Sequence, residues 1–385
     1  MSKLHPSLGQ FLEPVQSANP IDIFGGDDFS YIDIAAIDRL ERTISNPQVV
    51  TAANAPSRAR QLIKAGDILV STVRPNLNTV AVVGSDFDGA VASTGFCVLR
   101  VKADQLHSGY LFHWIASENI VRHLSAVATG ASYPAVSDKI IKSLPIALPA
   151  LKEQKRITAI LDKADSLRRK RQQAIRLADN FLRAIFLDMF GDPVTNSRKW
   201  PEKGIYEIAK VTTGNTPSRE MPENFGSAIE WIKSDNINTP SHWLTKATEG
   251  LSEQGLSLGR TAPAGSTLMT CIAGSPSCIG NVAMADRQVA FNQQINALTP
   301  FEGTEPEFLY GLLLYSKQRV QAASTNSMKG MVSKGALERV RLIWPSADLQ
   351  SAYAMAFKKI TALREKQLES DSSPLFSSLQ DSLLS

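Results

Sequence analysis

The stretch KEQKRITAILDKADSLRRKRQQAIRLADNFLRAIFLDM, residues 152–189, decides the fold. Its apolar side chains recur in alternating steps of four and three, which is the period of a coiled-coil helix. The seam consists of Ile157, Leu161, Ala164, Arg168, Arg171, Ile175, Ala178, Leu182, Ile185 and Met189. At about 1.5 Å per residue these 38 residues form a rod of roughly 57 Å, too long to bury one face on a single small domain. The sequence therefore predicts a long helix that needs a second partner.

The chain also repeats itself at an offset close to half its length, in an order that is kept throughout. The matched pairs are residues 31–37 with 231–237, 66–72 with 265–271, 110–112 with 308–310, the Gly/Ser-rich loops 129–134 with 325–330, and 149–154 with 345–350. Each pair has the same local character, such as a turn followed by a strand or an apolar helix start. The sequence therefore predicts a duplicated module in which short strands mix with a few helices.

The predicted fold class is α+β, with two duplicated mixed α/β modules separated by two long antiparallel helices. The expected boundaries are a first module at 1–148, a central helix at 149–197, a second module at 198–344 and a C-terminal helix at 345–385. The second helix repeats the seam of the first, fails at 370–374, and resumes an apolar face at Leu375, Phe376 and Leu379. The two seams pack on each other within one chain, or alternatively form a homodimeric coiled coil.

Positive charge is concentrated in the middle of the chain. The net charge is +4, from 41 basic and 37 acidic side chains, and residues 151–200 hold 12 basic against 6 acidic. This segment contains the run Arg168, Arg169, Lys170 and Arg171, while both modules are close to neutral. Such a run is either a solvated helix face or a contact to phosphate or to an acidic partner.

Several protein classes lack their sequence signatures here. No apolar run is long enough to span a membrane and no signal-like segment opens the chain, so we expect a cytoplasmic protein. Cys97, Cys271 and Cys278 lack zinc-ligand spacing, so we expect small buried side chains and no metal site. The chain has no phosphate-cradling loop and no amino-methyltransferase motif. Glu153 to Lys155 with Asp138 is a weak nuclease pattern that also suits the start of a helix.

The segment LPIALPALKEQKRI, residues 144–157, resembles the central region of type I restriction-modification specificity subunits. The similarity extends to residues 214–218 (GNTPS), to Trp231-Ile232, and to residues 292–296 (NQQIN). The chain departs from that family in the second repeat, at residues 343–351, and in the first module, which lacks Gly-x-Thr-Pro. These departures leave the C-terminal helix and the start of the first module least defined.

The resemblance implies a DNA-binding subunit without catalytic residues. It implies two target-recognition domains that each read one half of a split DNA sequence, with the helices as a spacer. It also implies two methyltransferase subunits, which carry S-adenosylmethionine, and motor-nuclease subunits, which use ATP and Mg²⁺. No cofactor is then expected in this chain, and the Arg168 to Arg171 run is a candidate contact for partner subunits.

Base reading needs polar side chains on loops that reach the DNA grooves, with Arg suited to guanine and Asn or Gln to adenine. The candidate DNA-binding residues in the first module are Arg74, Asn76, Asn78, Ser132 and Tyr133. In the second module they are Thr216, Ser218, Arg219, Ser275, Ser277, Asn281 and Lys329. Each of these is equally a turn residue that can cap its own backbone, so both roles stay open for every one of them.

Two other functions remain as alternatives. In one, the chain is a non-DNA adaptor whose modules hold two protein partners, while its arginine run binds an acidic surface. In the other, it is a nuclease or methyltransferase with an unfamiliar motif. If the helix is instead the spacer of a DNA reader, we expect an insertion between Arg171 and Ala178 to lengthen the unread gap and leave both half-sites unchanged.

Overall fold

The computed structural model describes residues 5–324, 330–369 and 373–384. Contacts divide the chain into two compact units. Unit 1 comprises Met1–Gln173 with Glu369–Ser385, and unit 2 comprises Ala174–Leu368. The division falls inside the central helix, whereas the sequence predicts that helix as a segment of its own. The four-part division therefore stays a prediction.

Runs of short strands and a few short helices lie on either side of one long helix. Up to that helix they are β1 (Leu12–Glu13), α1 (Pro20–Phe24), β2 (Asp28–Ile32), β3 (Ile37–Asp38), β4 (Thr43–Ile44), β5 (Gln48–Thr51), β6 (Ala59–Leu62), β7 (Ile68–Ser71), β8 (Val80–Val82), β9 (Val91–Ser93), β10 (Phe96–Val101), α2 (Ser108–Ile115), α3 (Glu118–Val127), α4 (Asp138–Ser143) and α5 (Leu151–Phe190). They continue with β11 (Glu202–Gly204), α6 (Ile205–Ile208), β12 (Ala209–Thr213), β13 (Phe225–Ile232), β14 (Gly250–Leu251), α7 (Glu253–Leu258), β15 (Thr261–Ala262), β16 (Thr267–Thr270), β17 (Ile272–Ala273), β18 (Val282–Met284), β19 (Val289–Phe291), β20 (Ile295–Pro300), α8 (Pro306–Tyr315), α9 (Lys317–Ala322), β21 (Gly330–Met331), α10 (Lys334–Glu338), β22 (Arg341–Ile343), α11 (Ala347–Glu369) and α12 (Ser373–Leu384).

Unit 1 contains two four-stranded sheets, in the orders β1-β10-β7-β8 and β5-β2-β9-β6. All four residues of β7 are buried, which explains why its sequence is mainly a continuous apolar run and not an alternation of apolar and polar residues. Strands β2 and β9 are parallel, with Tyr31 opposite Val91 and Ile32 opposite Ala92. A core that includes Tyr110 of α2 lies against the first sheet.

Unit 2 repeats this topology. Its two four-stranded sheets have the orders β12-β20-β16-β18 and β14-β13-β19-β15, which match the unit 1 orders strand for strand. The parallel pairing of two strands recurs as well, with Trp231 opposite Ala290 and Ile232 opposite Phe291. The predicted duplication and the mixed α/β character of both modules are therefore confirmed.

The Glu-Gln sequence at the start of α5 has a structural role. The buried Gln154 side chain accepts a hydrogen bond from the His107 backbone N–H at 2.8 Å and donates to the Pro149 carbonyl at 2.8 Å. Gln350 repeats the second bond in unit 2, where it donates to the Pro345 carbonyl at 3.1 Å. Because amide side chains satisfy backbone groups that would otherwise be buried unpaired, each glutamine fixes the start of its helix to the chain before it.

The two helical segments pack antiparallel within the chain. In unit 2, Tyr353 of α11 contacts Phe186 of α5, with ring centroids 5.3 Å apart, and three turns later along α11 Arg364 contacts Asp179. Residue numbers therefore rise along α11 as they fall along α5. In unit 1, Phe376 of α12 joins the core that contains the first half of α5. The predicted intrachain arrangement of the helices is confirmed.

The helices differ from the prediction in phase and continuity. The seam predicts burial of Ile185 and Met189, but Phe186 and Phe190 are the fully buried residues, because a straight helix advances in steps of four here. Helix α5 ends at Phe190 before Gly191, whose φ of 72° is the left-handed conformation that terminates helices. The C-terminal segment is two helices, α11 and α12. The expected seam break at 370–374 falls largely outside the described residues, as does the side chain of Leu375.

Candidate nucleic-acid interface

Two loops of unit 1 lie side by side at the end of strand β7. Residues 129–135 are closed by two backbone hydrogen bonds between Thr129 and Ala135, at 3.0 and 2.8 Å. Residues 72–78 are bound to this loop by the Arg74 N–H, which donates to the Pro134 carbonyl at 2.7 Å. Although about 50 residues separate them in sequence, the two loops form one surface, which we name loop edge 1 (residues 72–78 and 129–135).

Loop edge 1 brings together four of the five residues predicted to bind DNA in the first module. Arg74, Asn76, Ser132 and Tyr133 are all exposed. The Tyr133 side chain is 68% exposed, which is unusual for an aromatic residue, and the Arg74 guanidinium carbon lies 4.7 Å from the centroid of its ring. A guanidinium that lies over an aromatic face keeps its N–H groups available to other acceptors. The edge thus presents several hydrogen-bond donors to solvent.

Asn78 does not face solvent, which corrects its predicted role. Its side-chain Nδ2 donates to the Ala116 carbonyl at the end of α2, at 2.9 Å, and its Oδ1 is buried. Its backbone adopts a left-handed conformation with φ of 48°, which asparagine tolerates better than most residues. Asn78 therefore ends the turn 75–77 and caps α2, the alternative role that a turn asparagine always carries.

The sequence reasoning missed two exposed arginines beside loop edge 1. Arg58 and Arg60 flank the buried Ala59 at the start of β6, an edge strand of the second sheet. The Arg58 carbonyl accepts a hydrogen bond from the Thr94 N–H at 2.9 Å, and the neighbouring Gly95 carbonyl accepts from Thr72 at the same distance. The alternation of Arg, Ala and Arg was the available signal, because it marks the outer face of a strand.

Unit 2 carries a corresponding surface, built from more segments. Strand β17 pairs with β21 through Ile272 opposite Met331, just as Val73 bridges to Ala135 in unit 1. The Gln294 carbonyl accepts hydrogen bonds from the Cys271 and Ile272 N–H groups, at 2.8 and 3.1 Å. We name this surface loop edge 2; it comprises residues 214–219, 272–281, 292–294 and 330–331.

The residues of loop edge 2 that are predicted to bind DNA differ in their hydrogen-bond partners. Ser218 is exposed, and so are Ser275 and Ser277, whose hydroxyl oxygens lie 2.8 Å apart. Thr216 is exposed and donates to the Gln293 side-chain oxygen; Gln293 was missed by the sequence reasoning. Lys329 lies outside the described residues.

Asn281 is a second correction to the predicted set. Its Nδ2 donates to the Asn238 side-chain oxygen at 2.7 Å, and its own oxygen accepts from the Lys317 ammonium group. Both ends of the amide are therefore used within the protein. Asn281 holds the 272–281 segment in place and is not free to read a base in this conformation.

Arg219 belongs to a charged cluster that the sequence did not reveal. Its guanidinium donates to the Glu249 carboxylate at 2.9 Å and lies 5.4 Å from the Trp231 ring centroid. The Lys233 ammonium group lies 2.6 Å from the same carboxylate. Hydrogen bonds from Lys233 and Arg219 hold the pKa of Glu249 below its ordinary value. The cluster carries one net positive charge, and its members come from sequence positions too distant for a motif to link them.

The Arg168 to Arg171 run, which is predicted to bind partner subunits, is only partly exposed. Arg168 and Arg169 both contact the Asp165 carboxylate, at 2.7 and 3.1 Å, and Arg169 also donates to the Glu41 carbonyl at 3.1 Å. Arg171 is half-buried, and Lys170 is the one exposed member of the run. Arg168 can occupy a position of the otherwise apolar heptad seam because the Asp165 carboxylate, one helical turn away, neutralises its charge.

The cysteines lie mainly inside the protein. Cys97 and Cys271 are buried and Cys278 is half-buried. Burial raises the pKa of both buried thiols, that of Cys271 to about 12, so they are protonated at neutral pH.

Across the described ranges, no helix is both long and apolar enough to cross a membrane. Glu153 forms an exposed ion pair with Arg156, with 2.6 Å between the charged atoms.

Comparison with known proteins identifies relatives over most of the chain. The family model described as type I restriction modification DNA specificity domain matches residues 48–177 and 197–370. The chain is 22% identical to the type I restriction enzyme HindI specificity subunit of Haemophilus influenzae, over 86% of this chain and 87% of that protein. It is 28% identical to the type I restriction enzyme MjaIX specificity subunit of Methanocaldococcus jannaschii, over 44% of this chain and 40% of that protein.

Solved structures show the same fold. The S subunit of a type I restriction-modification system from M. genitalium aligns with a TM-score of 0.62 at 12% identity, and the alignment covers 100% of this chain and 97% of that one. A chain from a structure concerned with complex assembly and conformational transition of the type I R-M system aligns with a TM-score of 0.52 at 23% identity, covering 98% and 96%.

Proposed function

The chain belongs to the type I restriction-modification DNA specificity family, and from this premise we propose that each of its units reads one half of a split DNA target. Loop edge 1 reads one half-site and loop edge 2 reads the other. The reading residues in unit 1 are Arg74, Asn76 and Ser132, with Tyr133 under the Arg74 guanidinium and Arg58 and Arg60 on neighbouring phosphates. In unit 2 they are Thr216, Ser218, Arg219, Ser275, Ser277 and Gln293, with Lys329 as a further candidate.

One observation carries this proposal: the same edge of a duplicated sheet frame bears exposed polar loops of different sequence in the two units. The frame repeats strand for strand, whereas Arg74 and Asn76 in one edge correspond to Ser275 and Ser277 in the other. Residues that read bases vary with the DNA target, while the residues that hold the sheets together do not have to vary. Two loop edges of different sequence on the same sheet frame therefore suit two different half-sites.

Helix α5 supports a spacer role because its two halves belong to different units. The first half is buried in the unit 1 core through Leu161, and the second half in the unit 2 core through Phe186. A continuous helix between two readers fixes how many base pairs are left unread between the half-sites. Lengthening the helix between Arg171 and Ala178 should then change the gap without changing either half-site.

We place methyltransferase docking on the outer apolar residues of the helices instead of on the arginine run. Leu177 and Phe181 of α5 are each 58% exposed, and Leu363 of α11 is 64% exposed. Leu177 and Phe181 are one helical turn apart, so they share a face. Large apolar side chains at this exposure suit a protein partner, and the run contributes Lys170 alone as an accessible charge.

The chemistry of the complex is assigned to other chains. In this proposal two methyltransferase subunits carry S-adenosylmethionine, motor-nuclease subunits use ATP and Mg²⁺, and this chain is a non-catalytic cytoplasmic subunit without a cofactor. Unit 1 carries 20 basic and 19 acidic side chains, so alone it attracts phosphates weakly. Partner subunits that enclose the duplex would supply the remaining affinity.

Family membership favours this function over a non-DNA adaptor. The adaptor hypothesis relied on the arginine run binding an acidic surface, and Arg168 and Arg169 are already bound to Asp165. The test is methylation sequencing of DNA from cells that express this chain with its cognate methyltransferase subunit. We expect a two-part motif with an unread gap that disappears when this chain is removed. Methylation that is unsplit, or that persists without the chain, would refute the proposal.

A further inference from the structure

The backbone of Arg74 is held in a conformation that arginine seldom adopts. Its φ of 49° and ψ of 61° lie in the left-handed region. Two backbone hydrogen bonds fix it there, because its N–H donates to the Pro134 carbonyl at 2.7 Å and its carbonyl accepts from the Leu77 N–H at 2.9 Å. Non-glycine residues persist in this region where the surrounding structure over-determines them, which is common at binding sites. The side chain is therefore aimed by its backbone.

The guanidinium of Arg74 is oriented but not neutralised. It lies 4.7 Å from the Tyr133 ring centroid, and within residues 5–324, 330–369 and 373–384 it has no hydrogen-bond or ion-pair partner. Arg219 in unit 2 differs, because it lies on two aromatic rings but is bound to Glu249 at 2.9 Å. Arg74 thus combines a fixed plane with free donors, and that combination prepares it for a ligand with two acceptors side by side.

The corresponding position in unit 2 has different chemistry. Residues 75–77 and 276–278 form matching 3-10 turns that both begin with proline, and the residue before the turn is Arg74 in unit 1 and Ser275 in unit 2. The Ser275 hydroxyl contacts the Ser277 hydroxyl at 2.8 Å. A planar cation is therefore present at this position in one unit and absent in the other.

We propose that Arg74 reads a guanine in the half-site recognised by unit 1, and that Tyr133 is a positioning residue that holds its plane. Guanine presents O6 and N7 side by side in the major groove, which matches two parallel N–H donors of a guanidinium. Adenine has an amino group in place of O6, so one N–H of the guanidinium would face another hydrogen-bond donor. The inference rests on the proposed function, because it names the base that loop edge 1 reads.

The experiment compares the methylation motifs of Arg74 and Tyr133 variants in cells that also express the cognate methyltransferase subunit. In Arg74→Ala, we expect one guanine of one half-site to become degenerate, with about 10- to 100-fold of its preference over other bases lost. The other half-site and the gap should stay the same. Arg74→Lys should lose most of the discrimination as well, since an ammonium group cannot donate in the plane of a fork.

The Tyr133 pair separates positioning from general structural damage. Tyr133→Phe keeps the ring and should keep the motif, whereas Tyr133→Ala should weaken specificity at the same guanine that Arg74 controls. Arg122→Ala is the matched control, because it removes the same charge from an exposed α3 residue whose salt-bridge partner is Glu118, and its motif should be native. Thermal unfolding of each purified complex identifies variants that fail to fold.

The outcomes distinguish this inference from the proposed function. A native two-part motif that Arg74→Ala leaves fully specified would overturn the assignment of Arg74 while the function of the chain stands. The same holds if Arg74→Ala relaxes a base other than guanine, or a base in the half-site that unit 2 reads. A native chain that yields no two-part motif would refute the proposed function itself.

Discussion

The two units attach the same loop to the helices with different chemistry. In joint 1 (Arg42, Asp165, Arg168, Arg169), Arg169 donates to the Glu41 carbonyl, and Arg42 lies 5.8 Å from the Phe112 ring centroid. In joint 2 (Asp179, His242, Tyr310, Arg364), Arg364 donates to the Pro240 carbonyl at 2.6 Å. His242, the counterpart of Arg42 in the repeat, lies 2.9 Å from the Tyr310 hydroxyl and 3.0 Å from Asp179.

The two joints share one kind of contact and differ in the rest. Each contains a helix arginine that donates to a loop carbonyl, Arg169 in unit 1 and Arg364 in unit 2, and that bond fixes the loop that follows β3 in unit 1 and β13 in unit 2. The remaining charges have diverged. Joint 1 places three guanidinium groups near one carboxylate, and burial, followed by the charges of Arg168 and Arg169, lowers the pKa of Arg42 despite Asp165. Joint 2 satisfies its histidine on both ring nitrogens.

Removal of the carboxylate from joint 1 should have the largest effect. Asp165→Asn leaves three guanidinium groups without a counter-charge around a side chain that is 5% exposed. We expect unfolding free energy to fall by about 3 kcal/mol, because breaking a buried pair strands its partner. Urea unfolding of the purified chain measures this, with Asp188→Asn at an exposed position of the same helix as control. A loss below about 1 kcal/mol would show that joint 1 does not need its carboxylate.

Breaking joint 2 should have a smaller effect. Arg364→Met removes a buried guanidinium from Asp179, but that carboxylate is 37% exposed and keeps the His242 contact. Burial opposes ionisation of Asp179, yet His242 and Arg364 outweigh it and lower its pKa, so the pair is ionised at neutral pH. We expect a loss of about 2 kcal/mol. Arg183→Met, on an exposed α5 position, is the control and should change stability by less than about 0.5 kcal/mol. Equal effects of the two changes would contradict this account of joint 2.

The counterparts Arg42 and His242 should respond differently to the same substitution. Arg42→Met removes a cation that is desolvated beside two others and whose Nη1 has no partner, so stability should change by less than about 1 kcal/mol. His242→Met leaves the buried Tyr310 hydroxyl unpaired and should cost about 1–2 kcal/mol. Unfolding midpoints of the two variants provide the comparison. A larger loss for Arg42→Met would reverse our interpretation of the joints.

The pH effect of His113 should be confined to unit 1. His113 is 1% exposed and lies 2.7 Å from Asp162, and burial lowers its pKa in spite of Asp162 and Asp165, with Arg42 adding to the lowering. The unfolded chain binds the proton near pH 6.5 and the folded chain only at lower pH, so acidification from there destabilises unit 1. We expect acidification to lower the free energy of unfolding of unit 1 by less than about 1 kcal/mol through this histidine.

The control for this effect is the removal of the histidine. His113→Gln should weaken the dependence of unit 1 stability on pH between about pH 6.5 and 5, and the dependence that remains is that of His107, whose pKa is also lowered by burial. In the repeat, His113 corresponds to Gly311, and a side chain there would approach the Tyr353 hydroxyl to 2.5 Å. Unit 2 therefore has no titratable counterpart. Hydrogen exchange measured separately for the two units would test this. If protection of unit 2 depended on pH as strongly as that of unit 1, His113 would not be the cause.

Sequence reasoning was most successful where a pattern is local or repeated. The seam predicted a helix at 152–189 and the structure has Leu151–Phe190. Loop edge 1 was identified in part because its residues follow a strand and a Gly/Ser-rich turn. The amides of Asn78 and Asn281 bind groups within the protein, which the sequence could not show: an amide in a turn binds solvent or a nearby protein group equally well, and only the neighbouring chain decides. Arg168 in an apolar seam was likewise explained only by Asp165 and the loop around Glu41.

The most direct test of the account exchanges loop edge 1 alone. Residues 72–78 and 129–135 would be replaced together by those of a relative that reads a different target, and DNA from cells with the cognate methyltransferase subunit would be sequenced for methylation. The account predicts that one half of the two-part motif changes to that of the donor while the other half and the gap stay native. A motif that stays unchanged, or that changes in both halves, would contradict the claim that each unit reads its own half-site through its loop edge.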